Sequence, residues 1–151
     1  MVTMVGLEAT FTEALKDLIE LEYDAVEAYE ATLNRLENKE YIDKMREFME
    51  DHKRHIQDFS AILKQHNEKS IPTGPDASKN LLAKGKVILA GLIGDNALLK
   101  AMHSNEIDTN TAYDRLNRYE GRWTDTDNAL HKALKDEQRH KAWIESIIGS
   151  S

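Results

Sequence analysis

Two pentapeptides, "DHKRH" at 51–55 and "DEQRH" at 136–140, agree at Asp, Arg and His, and differ mainly where His52 stands opposite Glu137. Upstream, "EYDAVEAY" (22–29) and "EIDTNTAY" (106–113) share Glu, Asp, Ala and Tyr at the same four offsets. By subtraction of residue numbers, Glu22 and Glu106 are 84 apart and His55 and His140 are 85 apart. One nearly constant offset relates both motif pairs, so the chain reads as two copies of a helix pair. The repeated units carry ligand-type side chains: Glu22, His52, His55, Glu106, Glu137 and His140. Neutral imidazole nitrogen and carboxylate oxygen are ligands of divalent metals. Residues i and i+3 share a helix face, so Glu137 with His140, and His52 with His55, can each grip one ion.

Positioning these groups falls to amphipathic helices. Leu7, Phe11, Leu15 and Leu18, then Val26, Tyr29, Leu33 and Leu36, step by three and four, with Glu22 filling the gap in the stripe. After a polar link at 37–40, a second stripe runs through Tyr41, Met45, Phe48, Phe59 and Ile62, with His52 and His55 in the missing places. A third takes Ile88, Leu92, Asn96, Leu99, Glu106, Tyr113 and Leu116, and breaks near "EGRW" (120–123). The fourth is Leu130, Ala133, Glu137, His140, Ile144 and Ile147. Both prolines fall in "HNEKSIPTGPDASKN" (66–80), a loop long enough to cross between distant helix ends. The expectation is four long helices joined by short, long and short connections, with no strand pattern. Glu22 lies about 16 residues before the first link and His52 and His55 about 14–17 after it, so at roughly 1.5 Å per residue they reach one height in an antiparallel pair. Glu106 and the Glu137/His140 pair are placed likewise. Buried unpaired, such groups are costly, and a divalent metal removes that cost.

These residues resemble the ferritin-like di-iron carboxylate proteins, in which two helices each give a Glu and two others each give Glu-x-x-His. The resemblance covers nearly the whole chain. It implies an all-α, ferritin-like antiparallel four-helix bundle with one long crossover, a single domain over 1–151. The helix-pair repeats would span approximately 7–66 and 85–148, with the crossover at approximately 67–84. Glu22 and Glu106 resemble the single-Glu ligands, Glu137 and His140 a complete Glu-x-x-His pair, and His55 the histidine of the other. His52 departs from that pattern. "DEQRH" resembles the form found in di-iron oxygenases, which implies that Asp51 and Asp136 partner the ligand histidines and fix their tautomers. Tyr29 and Tyr113 resemble tyrosines that hydrogen-bond near such sites. Arg54, Arg139, Asp24 and Asp108 are explained by surface salt bridges, and His103 lies near the face of Glu106.

An imidazole offers one nitrogen once its other is protonated, so His52 is not expected to bridge two metals as a Glu does. Three carboxylates against two divalent ions leave about +1 of charge. His52 then caps one metal, turns away to open a position, or leaves one metal weakly bound. The implied cofactor is a pair of metal ions, iron first, with Mn and Zn as alternatives. The implied activity is reduction of O2 or peroxide, as in rubrerythrin-type proteins, or oxidation of ferrous iron. Iron storage or a non-redox metal-binding module are the alternatives. Only 11 residues follow His140, fewer than the extra C-terminal helix of many cage ferritins needs.

Composition narrows the partners. Charged residues are 31% and hydrophobic ones 40%, as in globular domains, and the net charge of -7 argues against nucleic acid and anionic membranes. With Cys 0, thiolate metal sites and a rubredoxin-type donor within the chain are excluded, so any electron donor is a separate protein. The run "VILAGLI" (87–93) is too short to span a bilayer, and "MVTMVGLEATF" has no signal-peptide pattern, so a cytoplasmic homodimer or small homo-oligomer is expected.

Overall fold

Thr10 starts the first helix because its side chain accepts the backbone N–H of Glu13 at 3.2 Å, satisfying one of the donors a helix start leaves open. The computed structural model describes residues 3–75, 89 and 91–149. Helix α1 is Phe11–Leu33, α2 is Lys39–Gln65, α3 is Asp95–Asn117 and α4 is Asp127–Ile148, the last preceded by a 3-10 turn at Thr124–Thr126. No strand occurs among the described residues. No helix among them is long and apolar enough to cross a membrane.

Cross-helix bonds set the directions. Thr12, at the start of α1, donates to Glu68 just past α2, so α1 and α2 run antiparallel. Asn117, at the end of α3, donates to the carbonyl of Leu130 near the start of α4, which sets the second pair antiparallel too. Arg115 of α3 holds the carbonyls of Thr3 and Val5 ahead of α1. Gly6 makes that approach possible: its φ is 96°, and a Cβ there would lie 2.4 Å from Cβ of Arg115. At the opposite end Asp95 accepts the N–H groups of Glu37 and Asn38, pinning the α1–α2 link to the start of α3. So α2 ends at one end of the array and α3 begins at the other.

Apolar layers close both sides of the middle. Phe11, Leu15, Leu18, Phe59, Leu63, Leu116 and Leu130 fill one side, and Met45, Leu98, Leu99, Met102 and Ile144 the other. Two stripe positions differ from expectation. Leu7 is 59% exposed because it precedes the capped start at Thr10. Asn96 is exposed because α3 begins only at Asp95, and the inward phase is carried by Leu98, Leu99 and Met102. Ile88 and residues 76–84 of the expected crossover (67–84) lie outside the described residues, as does the expected start of the second repeat near 85.

Asn38 caps α2 by accepting the N–H groups of Glu40 and Tyr41 at 2.9 and 3.3 Å. Asn38→Ala is therefore expected to cost about 1 kcal/mol. For a domain of this size that is a Tm drop of about 2–4 °C in a thermal melt, with Asn38→Asp close to wild type.

Candidate metal centre

Each helix delivers its ionisable groups to the same level. Glu22 of α1, His52 of α2, Glu106 of α3 and Glu137 and His140 of α4 are fully buried, and His55 is 2% exposed. Their donor atoms form two groups, each with all members within 4.8 Å: Glu22, His52, His55 and Glu137, and then His52, Glu106, Glu137 and His140. His52 and Glu137, the pair that differs between the two pentapeptides, belong to both groups.

The histidines are held crosswise. Nε2 of His140 on α4 lies 2.8 Å from Asp51 on α2, and Nε2 of His55 on α2 lies 2.9 Å from Asp136 on α4. An ionised carboxylate only accepts, so each Nε2 carries a proton and each Nδ1 faces inward, where the neutral ring would present its lone pair. Arg139 donates to Asp51 at 2.7 Å and reaches Asp136 at 3.5 Å, while Arg54 donates to Asp51 at 3.0 Å and also to Asp136. The two arginines are thus a clamp over both aspartates rather than isolated surface pairs. His52 does not turn away: its Nδ1 is 3.1 Å from both oxygens of Glu22 and its Nε2 is 3.1 Å from Glu106.

The hydroxyl groups are less symmetric. Tyr29 donates to Glu106. Tyr113 is buried beside Glu22, but its hydroxyl makes no hydrogen bond of standard geometry among the described residues. Thr109 donates to Glu137 at 2.9 Å, and its place in the first repeat is taken by Ala25. The ring of Phe48 stacks on His140 at 4.2 Å and confines it. Elsewhere, His103 is 24% exposed and 3.9 Å from Glu145, and His66 stacks on Trp123 and meets Asp125. Asp24 is pushed up to about 6, first by burial and then by Glu27 and Asp108.

Oε1 of Glu137 and Nδ1 of His140 are buried and make no hydrogen bond among the described residues, although both face the cluster. Oxygen and imidazole donors, inward-facing ring nitrogens and unsatisfied inward atoms are the chemistry that could hold a divalent metal.

The profile of the family described as "Domain of unknown function (DUF892)" matches residues 6–151, nearly the whole chain. The chain belongs to the DUF892 family. No curated protein and no solved structure matches it.

Without metal, this DUF892 chain neutralises its own cluster. Burial alone would lower His55 and His140, but Asp136, Glu137 and Glu22 carry His55 up to about 11, and Asp51, Glu106 and Glu137 carry His140 up to about 10. Burial would raise Glu22, but His52 and His55 hold it down at about 2. Glu137 alone among the three glutamates is raised, by burial and then by the charge of Glu106. A histidine raised in the folded state contributes stability that is complete below its unfolded value of about 6.5 and is lost as pH climbs through the folded value. The chelator-treated protein is therefore expected to lose Tm steadily as pH rises from about 6.5 toward 10, by differential scanning calorimetry. A flat Tm over that window would contradict the charged state assigned to His55 and His140.

Proposed function

We propose that this chain is a ferritin-like di-metal protein, with iron as the resident metal, that acts as an oxidoreductase toward O2, peroxide or ferrous iron. The observation that carries the reading is the pair of buried donor groups sharing Glu137 and His52. The antiparallel arrangement of four helices, each contributing at this level, supports it.

Glu22 and His55 would hold one ion, Glu106 and His140 the other, and Glu137 both. When bound, the iron pair supplies the electrons that O2 or peroxide takes up. The chain's own residues prepare the site. Asp136 and Asp51 keep the Nε2 protons of His55 and His140, so that Nδ1 is free to bind. Thr109 and Tyr29 orient Glu137 and Glu106. Phe48, Met45 and Phe59 help to exclude water. Electrons would come from a separate donor, since the chain has no Cys to hold one of the rubredoxin type. The working unit would be a homodimer or small oligomer.

Anaerobic reconstitution with ferrous iron followed by elemental analysis is the direct test. We expect about two ions per chain, since the donors form two groups, and an absorption change on adding peroxide. Absence of bound metal would refute the metal centre. A colourless zinc protein inert to peroxide would refute the redox assignment, and a particle of many subunits would favour storage.

The donor groups also predict an order among variants. Glu22→Gln and Glu106→Gln should each reduce the stoichiometry to about one ion, because each residue serves one group, while Glu137→Gln weakens both. Asp136→Asn should lower affinity in the Glu22/His55 half by about 10–100-fold, the usual cost of losing a partner that orients a ligand histidine. Metal titration of the purified variants measures both effects.

A further inference from the structure

His52 is placed unlike the other two imidazoles of the cluster. His55 and His140 each turn Nε2 outward to an aspartate and only Nδ1 inward. Both nitrogens of His52 face inward. Nδ1 lies 3.1 Å from Glu22 and 3.3 Å from Oε1 of Glu137, in the half that contains His55. Nε2 lies 3.1 Å from Oε1 of Glu106, in the half that contains His140. The ring is fully buried and packed against Tyr29, with centroids 5.1 Å apart, so it cannot swing to favour one half without displacing its neighbours.

Those separations suit shared ions. Donors about 2.1 Å from one metal lie roughly 3.0 Å apart in an octahedron and 3.4 Å apart in a tetrahedron. Nδ1 of His52 has that spacing to Glu22 and Glu137, and Nε2 has it to Glu106. His140 completes the second half, its Nδ1 being 3.5 Å from the same Glu106 oxygen.

We propose that His52 ligates both ions through one ring, with Nδ1 serving the Glu22/His55 half and Nε2 the Glu106/His140 half. The inference rests on the reading of the cluster as a two-metal centre, and it replaces the expectation that an imidazole at this position serves one metal only. A neutral imidazole has one lone pair and one N–H. The second ion takes the place of that proton, which passes to solvent, and the ring becomes an imidazolate. Charge favours the exchange. Glu22, Glu106 and Glu137 alone leave two divalent ions with about one uncompensated positive charge, and the imidazolate brings the buried centre to about zero. His52 thus supplies the fourth negative charge that a glutamate would have carried, but only when both ions are present.

Cu(II) is the probe, because two Cu(II) ions joined by an imidazolate couple their spins while separate ions do not. The chelator-stripped wild-type chain is loaded with Cu(II), the stoichiometry is measured, and electron paramagnetic resonance is recorded at low temperature. The expected result is two ions per chain with loss of most of the isolated-ion signal, which recovers on warming. His52→Ala should bind copper with clearly weaker coupling, that of the shared Glu137 carboxylate alone, and so regain part of the isolated-ion signal. Added imidazole should restore the coupling, and 1-methylimidazole, with one nitrogen blocked, should not. Two bound ions with uncoupled spins in the wild type would overturn the proposal without any variant, as would coupling of unchanged strength in His52→Ala. Uptake of fewer than two ions would instead overturn the two-metal reading itself, and the bridge with it.

Discussion

Mutual compensation among six buried ionisable groups is the constraint on which the rest of this structure depends. A carboxylate or imidazolium alone at that depth would cost several kcal/mol, and breaking a buried charged pair leaves the surviving partner unpaid for. Every member therefore has to be present and aimed. Glu22 meets His52 and His55, Glu106 meets His52 and Tyr29, and Glu137 takes the hydroxyl of Thr109. A cluster of this kind tolerates little sliding of one helix past another, because a one-residue shift would turn the donors out of the core. The connections at the ends serve that registration. Asp95 grips the α1–α2 link, and Arg115 ties the segment before α1 to α3.

The crosswise aspartates extend the constraint to the α2–α4 face. Each "DxxRH" unit supplies an aspartate to the other unit's histidine, not to its own, and Arg54 and Arg139 cover both aspartates. Removing one helix would disturb both imidazoles. The arrangement gives a physical reason for the repetition of the whole pentapeptide and not of the histidine alone: each copy completes its counterpart.

The approximate two-fold repeat is broken at two related places. His52 stands where the other half has Glu137, and Thr109 stands where the other half has Ala25. The hydroxyl of Thr109 reaches Glu137, whose charge is the hardest of the three to maintain beside Glu106. The two departures thus meet in space, one exchanging a carboxylate for an imidazole and the other supporting the carboxylate that remains.

Helical spacing and the 84–85 residue offset were enough to determine an all-helical chain and to single out Glu22, His52, His55, Glu106, Glu137 and His140, because period and repetition are properties of the chain itself. The same spacing misjudged Leu7 and Asn96, since helix ends are set by caps and by the start of α3 at Asp95, not by the apolar stripe. Thr109 was not legible, because a threonine at that place carries no sign of where its hydroxyl points. Arg54 and Arg139 read as surface charges for a similar reason: their aspartate partners on the facing helix are 82 and 88 residues away in sequence. The orientation of His52 was the largest matter left to tertiary structure. A residue's type sets how many nitrogens it offers, but only the placement of α1 beside α2, with α3 diagonally across the bundle, decides that both of them meet carboxylates.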